Sequence, residues 1–161
     1  MFALSPSLIR DYRMIKSELC LMAEREGAVF GSYSGWRLPR RFATLTQEYD
    51  AVRQGTVIVD RSHMGRLRVL GEDALDLLNR LSTNNVIDLQ VGRQIETVLT
   101  TAKGRIVDII TIASLGDHLL LVTSPGQQTR VAKWLDMYTF LEDCTVQDVG
   151  KDMQVISVLG S

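Results

Sequence analysis

Apolar residues near the start of the chain fall at Leu8, Ile9, Tyr12, Ile15, Leu19 and Met22. That spacing predicts an amphipathic helix ending near Gly27. Residues 31–42 contain Gly31, Gly35 and Pro39 and read as a loop. Tyr49 and Val52 then share a helical face, which predicts a short helix over 46–54 stopped by Gly55. Beyond Gly55 the period changes. Val57-Ile58-Val59 is a β-branched run. Arg66-Leu67-Arg68-Val69-Leu70 alternates, so a strand with one buried and one wet face is expected. Gly71-Glu72-Asp73 opens a helix with acids in its first turn, where the dipole favours them, and Leu75, Leu78 and Leu81 carry it toward Asn84-Asn85. Val98-Leu99, Ile106 to Ile112 and Leu119 to Thr123 predict a meander with turns at 101–104 and 115–117. Val131, Trp134, Leu135 and Tyr138 mark another helix, and 145–149 and 155–159 the last strands.

The order strand, helix, hairpin strands, helix, strand defines an α+β fold. Two helices cover one face of a largely antiparallel sheet, after an N-terminal helical extension. Hydrophobic residues make up 45% of the 161 positions and charged residues 23%, enough for a packed core and against disorder. The formal charge of −1 excludes broad steering toward nucleic acid or anionic lipid. Arg61, Arg66, Arg68, Arg93 and Arg105 are expected on a solvated face. Cys20 and Cys144 match no metal or redox spacing and read as free thiols of a reducing compartment. Residues 1–27 carry too many charges for a signal peptide or membrane span, so a cytoplasmic address is expected. The last apolar run reaches Ser161 without a closing tail, which suggests that the polypeptide once continued.

Candidate chemistry is sparse. Ser62 and His63 are adjacent on an extended segment after Asp60, so they point apart and form no nucleophile–base pair; a packed His63 is expected. His118 sits beside a turn and is expected exposed, and two histidines without clustered carboxylates or thiols make no metal site. Asp108 interrupts the apolar run Ile106-Val107-Asp108-Ile109-Ile110. Alternation places it with Ile106 and Ile110, and Val107 with Ile109. A carboxylate on a covered sheet needs a partner or a ligand: acid–base work is one reading, a wet-face position or a bridge to Arg68 or Arg105 the other. Thr123-Ser124-Pro125-Gly126 ends a strand and opens a helix, where backbone N–H groups could hold an anion. Trp134 is expected in the core. Trp36 is open to packing or to stacking on a flat ring.

Three segments carry more than pattern. Gly35-Trp36-Arg37-Leu38-Pro39 leads to Glu48-Tyr49-Asp50-Ala51-Val52-Arg53. Asp60-Arg61-Ser62-His63-Met64-Gly65 leads through Gly71-Glu72-Asp73-Ala74-Leu75 to Leu81-Ser82-Thr83-Asn84-Asn85-Val86. Lys103-Gly104-Arg105-Ile106-Val107-Asp108 is the third. In this order and spacing, over about 31–160, the chain resembles the amino-terminal portion of the aminomethyltransferase (glycine-cleavage T-protein, GcvT) and YgfZ-like folate-binding superfamily. The resemblance implies a ferredoxin-like domain over 46–161, incomplete relative to the family, after a helix and loop over 1–45. It implies tetrahydrofolate as cofactor, with contacts from Asp108, Val107, Met64, Val98 and Thr123. It also implies one-carbon chemistry or iron–sulfur enzyme maintenance. The family's catalytic aspartate position holds Val107, a tyrosine position holds Ile95 and an asparagine position Thr123, and the Lys103-Gly104-Arg105 turn is more like that of the YgfZ-type branch. Asp108 is the weak candidate left for catalysis. Aminomethyltransferase or demethylase activity, and a non-catalytic interaction module, are the other readings. A surface left uncovered by absent later domains implies a homodimer or a partner chain.

Overall fold

The computed structural model describes residues 14–160, which form two compact units. One holds the described residues up to His63 together with 154–160; the other is Met64–Met153. Leu8, Ile9 and Tyr12 of the expected N-terminal helix lie outside the described residues.

In the first unit, strand β1 (Ile15–Lys16) pairs parallel with β3 (Trp36–Arg41), which pairs antiparallel with β2 (Val29–Tyr33). Ile15 is therefore in a strand rather than the expected helix, because its backbone bonds to β3. Helix α1 covers only Cys20–Arg25 and ends at Gly27, whose N–H donates to the Glu24 carbonyl. The expected loop over 31–42 is also overturned: most of it forms the β2–β3 hairpin. Ser34 and Gly35 both have positive φ (48° and 82°), the requirement of a tight two-residue turn that follows the strand twist. Pro39 is tolerated because the ladder skips a residue beside it, Val29 pairing with Arg41 and Phe30 with Pro39. Helix α2 (Leu45–Gln54) starts behind Thr44. The Thr44 hydroxyl accepts from Gln47 N while the Gln47 side chain accepts from Thr44 N, a reciprocal cap. Strands β4 (Thr56–Asp60) and β10 (Ile156–Gly160) form a separate antiparallel pair.

The second unit is the α+β fold expected, an antiparallel five-stranded sheet with two helices on one face. Its strands are β5 (Gly65–Leu70), β6 (Gln94–Thr100), β7 (Ile106–Ser114), β8 (Leu119–Thr123) and β9 (Thr145–Asp148), in the order β6-β7-β8-β5-β9. Helix α3 (Ala74–Leu81) contributes Ala74 and Leu78, and helix α4 (Gln128–Asp136) contributes Val131, Trp134 and Leu135. These pack on Leu67, Val69, Ile110, Ile112 and Leu121 from the sheet. Burying each such aliphatic side chain stabilises the unit by about 1.5–3 kcal/mol. Trp134 is core, as expected, and its ring lies 5.1 Å from that of Tyr138.

Long-range backbone bonds fix where α3 begins. Asp73 makes no side-chain cap to its own helix; its carboxylate accepts from Asp143 N at 2.8 Å, and its N–H donates to the Asp143 carbonyl. Gly71 permits this approach: a Cβ there would lie 1.9 Å from the Asp143 oxygen. After α3, Asn79 Oδ1 accepts from Val86 N at 2.9 Å and folds the chain back toward β6.

Candidate functional site at one end of the five-stranded sheet

The chemistry-bearing positions gather where β5 and β7 begin and β6 and β8 end. Gly65 of β5 is paired with Thr123 of β8, and Leu99 of β6 with Asp108 of β7. Ser124, one residue past β8, donates its N–H to Asp108 Oδ2 at 3.0 Å. This end of the sheet therefore holds all five positions the resemblance implied. Met64 precedes β5, Val98 lies near the end of β6, Val107 and Asp108 lie near the start of β7, and Thr123 ends β8.

Asp108 is only 5% exposed. Alternation alone misplaced its neighbours. Leu99 pairs with Asp108 but Thr100 pairs with Ile106, so Val107 is an extra residue on β7. Such a bulge interrupts the two-residue period. Val107 and Asp108 are consequently both buried and Val107 joins the core, whereas Ile106 is 60% exposed instead of sharing the Asp108 face. Asp108 keeps company with Ile110 and Ile112 on the helix-covered side. The partners offered as alternatives, Arg68 and Arg105, do not take its carboxylate in the described ion pairs. The Ser124 amide, expected to hold an anion, is occupied by the chain's own carboxylate.

Gly65 makes this arrangement fit. A Cβ at this position would lie 2.2 Å from Thr123 Oγ1 and 2.7 Å from Gln128 Cβ. Thr123 is fully buried, and its hydroxyl donates to the Ser124 carbonyl at 3.1 Å. Gln128 at the start of α4 presents a buried Oε1 without a hydrogen-bond partner among the described residues. No motif in the sequence signals Gln128, and the Asp60–Gly65 motif carries no local sign of the close packing over Gly65.

Arg66 corrects the expectation of a solvated arginine face. It is 1% exposed, and its guanidinium donates to the carbonyls of Met64, Gly150 and Met153. Those acceptors tie the start of β5 to the segment after β9. Arg61, Arg93 and Arg105 are exposed. His118 is also less exposed than expected: its Nδ1 lies 2.7 Å from Asp117 Oδ1, and this contact holds the Asp117 carboxyl below its usual range. In the first unit, Asp60 Oδ1 accepts from Ser62 N at 2.9 Å, its Oδ2 accepts from Ser17 Oγ, and the His63 ring lies 6.1 Å from that of Tyr33. Trp36 sits in β3. Both cysteines are free; Cys20 is buried with Arg37 Nη1 3.1 Å from its sulfur, and burial pushes the Cys144 thiol up. Among the described residues no cluster of three or more potential metal ligands occurs, and no helix is long and apolar enough to cross a membrane.

This fold has counterparts. The family model described as GCVT N-terminal domain matches residues 19–161. An aminomethyltransferase of Bacillus pumilus (strain SAFR-032) is 31% identical over 139 residues, covering 85% of this chain and 38% of the relative. One of Bacillus mycoides (strain KBAB4) is 33% identical over 129 residues, covering 80% and 35%. The solved glycine cleavage system aminomethyltransferase T of Bartonella henselae matches the fold with a TM-score of 0.80 at 23% identity, over 91% of this chain and 41% of that one. The chain belongs to the GCVT N-terminal domain family and spans less than half the length of these relatives.

Proposed function

We propose that this chain binds a reduced folate, tetrahydrofolate or a derivative, at the end of the five-stranded sheet. It would serve one-carbon metabolism or iron–sulfur enzyme maintenance of the YgfZ-like kind. The observation that carries the reading is the buried Asp108 carboxylate, set at the end of the sheet with Thr123, Ser124 and Gln128 around it. A pterin ring presents N–H donors along one edge, and a desolvated carboxylate is the acceptor that recognises such an edge. The donor set fits the cofactor in kind: Asp108 and the unpartnered Gln128 Oε1 are both acceptors. Met64 and Val98 would line the ring apolarly. When bound, the folate would supply a carrier for a one-carbon unit.

Val107 favours binding over transfer. The resemblance puts the catalytic acid there, and an isopropyl group neither holds nor moves a proton. Aminomethyl transfer or demethylation is the weaker reading for this chain. Exposed large apolar side chains such as Phe140 and Leu141 support a pairing role, with a second copy or a partner chain beside the first. The free thiols support a cytoplasmic setting.

Calorimetric titration with 5-formyl-tetrahydrofolate tests the reading. Saturable binding is expected, weakened at least about tenfold (~1.4 kcal/mol) by Asp108→Ala. Absence of binding by the folded chain, or an unchanged affinity in that variant, overturns it.

A further inference from the structure

Strand β10 reads Ile156-Ser157-Val158-Leu159-Gly160 and, among the described residues, pairs with β4 alone. Two strands by themselves make a marginal sheet in water. The Arg61 N–H donates to the Val155 carbonyl at 2.8 Å, so residues 61 and 155 are a hydrogen-bonded pair of the antiparallel ladder. The register, with Ile156 opposite Asp60 and Val158 opposite Ile58, fixes the rest by alternation. Ser157 and Leu159 turn their backbone groups toward β4. Ile156, Val158 and Gly160 turn theirs away from it, where no hydrogen bond meets them among the described residues.

A row of outward N–H and C=O groups is matched by one kind of occupant, an extended chain. Charges and prolines are the usual means of turning such a chain away, and β10 has neither. Its edge is also complementary to itself. When a second β10 lies antiparallel with the twofold axis at Val158, Val158 meets Val158 and Ile156 meets Gly160. These three are the residues whose backbone groups face outward, so this register uses all of them; a shift by one residue would set outward groups against inward ones. Directly opposite residues share a face. Val158 is 67% exposed and Ile58, its neighbour across the β4 ladder, 61%. Pairing would therefore turn two ribbons into one four-stranded sheet with Ile58 and Val158 of both copies in a single apolar stripe.

We propose that this chain forms a twofold dimer by pairing β10 with the β10 of a second copy, antiparallel and centred on Val158. The proposal rests on the pairing part of the function stated above and is independent of folate. It is tested without ligand, by sedimentation velocity on wild type and V158K and by oxidative cross-linking of V158C and I156C. Cross-linking uses a Cys144→Ser background, since Cys20 is buried. Val158 is exposed and its N–H faces away from β4, so lysine there leaves the β4 ladder intact while setting two like charges together at the axis. Wild type is expected to dimerise, and V158K to dissociate at least about tenfold more readily. The two Val158 Cα atoms would lie ~5.5 Å apart, within the ~4.4–6.8 Å a disulfide spans, so V158C is expected to form a covalent dimer. The two Ile156 positions would be four residues out of step, about 13 Å apart, so I156C is expected not to cross-link. A monomeric wild type overturns the proposal and the pairing role with it. Association unchanged by V158K, as through Phe140 and Leu141 instead, or cross-linking of I156C as readily as V158C, overturns this surface alone.

Discussion

Gly65→Ala should destabilise the five-stranded unit through a clash between side chains alone. The added Cβ would stand 2.2 Å from Thr123 Oγ1, 2.7 Å from Gln128 Cβ and 2.9 Å from Gln128 Oε1. Thr123 cannot easily swing aside. It is fully buried, and its β-branched side chain is stiff at χ1. Overpacking of this kind costs about 1–3 kcal/mol, and the stiffness places this case near 3 kcal/mol. For a unit of this size each kcal/mol lowers the melting temperature by about 4–8 °C. Urea unfolding followed by tryptophan fluorescence is the assay, with buried Trp134 reporting on this unit and a Trp36→Phe background removing the other signal. The cause is isolated by a double-mutant cycle. In a Thr123→Ala background the nearest clashing atom is gone, so the cost of Gly65→Ala should fall by at least about 1 kcal/mol, a coupling typical of touching residues. A cost below about 0.5 kcal/mol, the level of a neutral surface change, would refute the packing argument. So would strict additivity in the cycle.

Removing the carboxylate in Asp108→Ala leaves Ser124 N without its acceptor and should destabilise by about 1–3 kcal/mol; chemical denaturation measures it, and a neutral effect would show that water replaces the bond. Thr44→Ala removes the reciprocal cap of α2 and should lower stability by about 0.5–2 kcal/mol, while Thr44→Ser should restore most of it. Glu142 carries a pH dependence. The Arg80 hydrogen bond, followed by the Phe140 and Leu141 amides, holds its pKa at about 2 instead of 4.5. A depressed folded pKa contributes stability above the unfolded value that is lost as pH falls toward about 2. NMR titration of the Glu142 carboxyl should give that midpoint, and E142Q should flatten the stability profile across this window; a midpoint near 4.5 would refute the bracing of the loop.

Much of the five-stranded unit was legible because its signals are local. The alternation of Leu67 and Val69, and the helical spacing of Val131, Trp134 and Leu135, each report burial within one element. What escaped depends on partners distant in sequence or on backbone geometry. Arg66 is buried because carbonyls at Gly150 and Met153, more than eighty positions away, receive its guanidinium. The β2–β3 hairpin was hidden because Gly35 and Pro39 read as breakers, whereas one makes the turn and the other sits at a ladder irregularity. At the candidate site, Asp108 stood out as a carboxylate in an apolar run. The face it shares was misread because one unpaired residue shifts the phase, and Gln128 carries no local mark at all.

That shift at Val107 makes the strand a mechanical clutch between the hairpin tip and the sheet. Upstream of it the Thr101–Arg105 turn sets its own facing; downstream, Asp108, Ile110 and Ile112 answer only to the ladder with β6 and β8. Lengthening or shortening the tip by a single residue can be absorbed by moving or erasing the unpaired position, with the carboxylate still aimed inward. The tip is thereby free to diverge in length and chemistry while the acid behind it stays in place.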